Sequence, residues 1–123
     1  MCVVNVLSIV DAIHLSLAFL IILCAVVLGW IQLGQRLMTA LIGLQVLVGV
    51  IYATVLGGAL KTIGGHIGEH ILGALLAMTA YIAARRFGAN TTSRIVPIVL
   101  AAIGLLLVLL TAYLGLKMYG RIA

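Results

Sequence analysis

The chain has 123 residues, 66% of them hydrophobic and 7% charged, with a formal net charge of +5 and a mean hydropathy of +1.43. A soluble domain carries about 25% charged residues, because a small globule has a large surface to keep wet, so composition excludes a soluble fold. The basic residues gather at the ends of apolar runs, where snorkelling and topology account for them and nucleic acid is not an expected partner.

Spanning ~30 Å of hydrocarbon takes about 20 apolar residues in a helix, and four segments qualify. The first is expected over about 6–29, closed by Trp30 at headgroup level. A short turn, QLGQR (32–36), leads to the second, about 37–60. The third is expected over about 66–84. Arg85, Arg86 and the polar stretch GANTTSR (88–94) then precede the fourth, about 95–118, with Pro97 in its first turn. Connections this short join antiparallel neighbours, so the expected fold is all-α and integral to the membrane: one four-transmembrane-helix domain, an up-down-up-down bundle. Cys2 and Cys24 suggest no disulfide framework. The opening MCVVNVLSIV lacks the basic region of a cleavable signal.

Arg36, Arg85, Arg86 and Arg94 fall on one side of the bundle; Lys61, Lys117 and Arg121 fall on the other. The concentration of arginines in one loop makes that side the inner one, with both termini outside. Membrane lipid is the expected surrounding.

Polar groups that bear chemistry are few. The stretch Lys61 to Arg86, KTIGGHIGEHILGALLAMTAYIAARR, holds His66, Glu69 and His70 behind a Gly-rich turn. The first helix holds Asp11 and His14, which share a face at i, i+3. Ionisable side chains inside a membrane are costly and mark function by default. Helices one and three enter from the same side. His14 and His70 lie about nine and about five residues into their helices, a depth difference of ~6 Å that tilt can absorb. Two histidines at similar depth can clamp a porphyrin iron from both sides. The competing reading is that each histidine hydrogen-bonds between helices. His66 and His70, at i, i+4, also have the spacing of two helix-borne zinc ligands, but Glu69 points off that face and no cysteine is near. Lys61, Lys117 and Arg121 lie on the histidines' side, where cations suit haem propionates.

These residues resemble those of a known family. LQVLVGV (44–50), a Gly-rich turn and HILGALLA (70–77) are similar to a half-repeat of the haem A synthases. There, a helix with Gln-x-x-x-Gly precedes one opening on a haem-ligating histidine. Gln45 and Gly49 supply the first pattern and His70 the second. The family's Glu-x-x-His-Arg is answered by Asp11-Ala-Ile-His14-Leu15. The resemblance covers about residues 8–86. It departs in having Asp for Glu and Leu for Arg, in lacking the loop cysteines, and in placing the extra helix after the trio. It implies His14 and His70 as axial ligands of a b- or o-type haem, with Lys61 near the propionates. It also implies oxidation of a haem O methyl group to the formyl of haem A, with Asp11 as catalytic carboxylate. His70 is preferred to His66 on the family-like spacing and its greater depth.

Three functions follow as expectations. The first is a small bis-histidine haem protein of a prokaryotic cell membrane, resembling a compact haem A synthase. The second is an accessory subunit of a respiratory or terminal oxidase complex without its own cofactor, its histidines bridging helices or touching quinone or lipid. The third is a small proton-coupled transporter with Asp11 as its carboxylate. The chain is expected to associate with itself or with other oxidase subunits.

Overall fold

A computed structural model describes residues 2–56, 67–90 and 92–118. They form four helices: α1 (Cys2–Leu28), α2 (Gln32–Leu56), α3 (Ile67–Asn90) and α4 (Ile95–Met118). All four are long and apolar enough to cross a membrane. Inside hydrocarbon every backbone N–H and C=O must be satisfied within the segment, and a helix does this alone. Helices of this length reach about 36–40 Å, more than the ~30 Å of hydrocarbon, so they tilt or extend into the headgroup layer.

The helices are antiparallel neighbours in a ring. α1 packs on α2, α2 on α3, α3 on α4, and α4 closes back on α1. α3 and α4 form the tightest pair, and the α1/α4 seam is the loosest. α1 and α3 therefore stand diagonally across the bundle axis.

Packing follows the membrane rule, with small residues inside and large apolar ones outside. Ala25, Ala77, Ala84 and Ala101 are buried, whereas Phe19, Leu106 and Ile95 are exposed and face lipid. Tyr81 and Met38 are the largest fully buried side chains. Tyr81 fits because Gly104 on α4 has no Cβ: one built there would lie 2.8 Å from the tyrosine ring.

Three boundaries differ from the sequence expectation. The stretch expected as a turn, 32–36, is the first turn of α2, and the connection is only Gly29–Ile31. Gln and Arg are good helix formers, and Gln35, buried, donates to the Gly29 carbonyl at 3.2 Å. That bond satisfies an acceptor near the end of α1. Gly34 lets the two helices close so tightly, since a Cβ there would overlap the Leu28 carbonyl oxygen, while a Cβ on Gly29 would crowd the Ala25 carbonyl oxygen of α1 at 2.6 Å. α1 starts at Cys2, earlier than expected. α3 runs on through Arg85 and Arg86 to Asn90, because arginine stems continue an apolar face while their heads reach water. α4 spans 95–118 as expected, with Pro97 in its first turn, where no N–H is needed.

Candidate histidine pair in the bundle core

Two diagonal helices bring their histidines together. The rings of His14 on α1 and His70 on α3 lie 6.2 Å apart between centroids, with 64° between their planes. Both rings are partly buried, and the other two helices supply their surroundings.

α4 holds His70. Its Nδ1 lies 2.8 Å from the backbone carbonyl oxygen of Thr111. A carbonyl only accepts, so Nδ1 carries the proton and a neutral ring keeps its lone pair on Nε2. Gly115, one turn beyond Thr111, makes this approach possible. A Cβ there would lie 2.8 Å from Cε1 of His70 and 3.3 Å from Nδ1, so any larger residue would push the ring off the carbonyl.

α2 holds the His14 side. Gln45 donates from Nε2 to the His14 backbone oxygen at 2.8 Å. One turn further, Gly49 gives the His14 ring its room, since a Cβ there would be 3.2 Å from Cε1. Tyr52, nearly buried, lies roughly parallel to the His14 ring at 6.3 Å between centroids. Asp11 sits one turn from His14 on α1, half-buried. Glu69 is exposed. Lys61 and His66 lie outside the described residues.

Beside the pair is an apolar cavity of about 90 Å³ reaching into the bundle among Ala18, Ile42, Ala74 and Val108. A second lobe of about 80 Å³ opens on the α1/α4 side. Both histidines line both lobes. The wall mixes Ala and Gly with the branched side chains of Ile, Val and Leu.

The ring separation can be compared with that of two imidazoles sharing one metal ion. Two imidazoles on opposite sides of one metal ion, with bonds of about 2 Å and nitrogens about 1 Å from each ring centre, place their centroids roughly 6 Å apart. The observed separation is 6.2 Å. A neutral ligand histidine commonly donates its second N–H to a carbonyl, as His70 does. Among the described residues no group of three or more His, Cys, Asp or Glu could hold a metal ion.

Sequence reasoning missed Thr111, Gly115 and Tyr52 as parts of this site. The visible trace was a lone threonine in the aliphatic run LLLVLLTAYLGL with a glycine four residues on. Gln45 and Gly49 were singled out only through the family resemblance, and each contacts His14. Compared with models of protein families, with curated proteins and with solved structures, the chain finds no match.

Proposed function

We propose that this chain is a small membrane haem protein in which His14 and His70 would hold the iron of a b- or o-type haem. The observation that carries the reading is the 6.2 Å approach of the two rings from diagonal helices. When bound, haem supplies one-electron chemistry. The chain supplies burial, Thr111 to orient His70, and the bare surfaces of Gly49 and Gly115 on which the rings rest. We place it in a prokaryotic cell membrane with both termini outside, and assign Lys61 to the propionates on the same side.

The likeness to haem A synthases extends the proposal to catalysis. In that form Asp11, one turn from His14, would take up protons at the porphyrin edge as a bound haem O methyl group gave four electrons to an external acceptor and took its formyl oxygen from water.

The test is the visible spectrum of the purified chain titrated with haemin in detergent or vesicles. A Soret band with sharp α and β bands on reduction is expected, lost in His14→Ala and in His70→Ala and kept in His66→Ala. A wild-type chain that takes up no haem would overturn the reading and leave an accessory membrane subunit in its place.

A further inference from the structure

The second lobe of the cavity lies on the least closed side of the bundle. Leu15 and Phe19 of α1 and Ala112, Gly115 and Leu116 of α4 wall it, with His70 behind. Phe19 is 67% exposed, so this wall faces the lipid. The α1/α4 seam is the loosest of the four. It also joins the first and last helices, the one neighbouring pair that no connecting segment ties together. α1 and α2 are held by a three-residue turn at Gly29–Ile31, and α3 and α4 by the short connection 91–94. Parting α1 from α4 stretches no connection, and sliding or parting of packed helices is an ordinary way for a site to open.

The chemistry of the seam matches one kind of visitor. Ala112 and Gly115 present almost no side chain on the α4 side of the seam, opposite Leu15 and Phe19. Lys117 is exposed in the last turn of α4, at the headgroup end of that helix. A porphyrin is flat, partitions into lipid and carries two carboxylates on one edge. We infer that haem reaches His14 and His70 laterally from the bilayer through the α1/α4 seam, its carboxylates trailing in the headgroup layer. The inference rests on the haem reading above.

The test uses the full chain in lipid vesicles, with Cys2→Ser and Cys24→Ala to clear native thiols. Leu15→Cys and Leu116→Cys are joined across the seam by a short bifunctional methanethiosulfonate. A control chain carries Gly43→Cys and Met78→Cys, joined across α2 and α3, where a Cβ on Gly43 would lie 4.0 Å from the Met78 sulfur. Haemin is delivered from the vesicle lipid and uptake is followed in the Soret band. The seam link should slow uptake at least tenfold, release of the link by reductant should restore it, and a link made after loading should leave haem in place. The α2/α3 link should have no effect. Equal uptake with the seam linked or open, or slowing by the control link alone, would overturn the lateral route. No uptake by the unlinked chain would overturn the haem reading and the route with it, and the unlinked arm tells these failures apart.

Discussion

His70 donates from Nδ1 to the carbonyl oxygen of Thr111 at 2.8 Å, over a patch of α4 that Gly115 leaves bare. One backbone acceptor and one missing Cβ thus set the tautomer and the seat of a side chain 41 residues away in sequence. The neighbouring helix, which carries no Asp, Glu, His, Lys or Arg before Lys117, takes its part in the site through its backbone.

Gly115→Ala should weaken haem binding by about 10–100-fold, the usual cost of disturbing a ligand's orienting partner. The replacement favours the helix itself by up to about 1 kcal/mol, so a loss would come from the ring and not from α4. Haemin titration alongside helical content by circular dichroism separates the two.

Gln45 holds α2 to α1 at the level of His14. Gln45→Leu should lower stability by about 0.5–1.5 kcal/mol, the net value of one such bond. It should also broaden the low-spin spectrum as His14 loses its fixed height. Unfolding in a mixed detergent series reports the first effect and electron paramagnetic resonance the second.

Tyr81 and Gly104 offer a paired test of the core, away from the histidines. Gly104→Ala drives a methyl into the fully buried ring and should cost about 1–3 kcal/mol through overpacking. Among the described residues the Tyr81 hydroxyl has no hydrogen-bond partner, so Tyr81→Phe should be neutral or slightly stabilising. Thermal denaturation of both variants checks the contrast; a large loss in Tyr81→Phe would contradict it.

Asp11 distinguishes a haem carrier from a synthase. Asp11→Asn should leave the haem spectrum in place, since His14 and His70 are unchanged. In a synthase it should stop conversion of haem O to haem A in a host without its own enzyme, measured by chromatography of extracted haems. A wild-type chain that makes no haem A there would end the catalytic form of the proposal. An aspartate is one methylene shorter than the family's glutamate, and a displacement of ~1 Å can cost about 100-fold in rate.

Orientation is open to thiol labelling. With Cys24→Ala, the native Cys2 and an introduced Asn90→Cys stand at opposite ends of the bundle. Cys2 should react with an impermeant maleimide from outside and Asn90→Cys only after the membrane is opened. The reverse pattern would invert the topology.

Hydropathy by itself determines that this is a four-helix membrane bundle. Runs so apolar can only sit in lipid, and a chain in lipid must close its hydrogen bonds within each helix. Short connections then order the helices in a ring, which puts the first and third across from each other and makes a meeting of His14 and His70 conceivable. The helix ends were less legible: Gln32–Arg36 and Arg85–Asn90 read as breaks because they are polar, yet polar residues near the headgroups continue a helix freely. What tertiary structure alone decided is rotation. α1 and α4 are apolar nearly all round, so no periodic stripe says which face turns inward. The facing of His14 toward His70 comes instead from steric fit, Gly49 against one ring and Gly115 against the other. Thr111 could not be read from sequence as the partner of His70, because it takes part through a backbone carbonyl that every residue possesses.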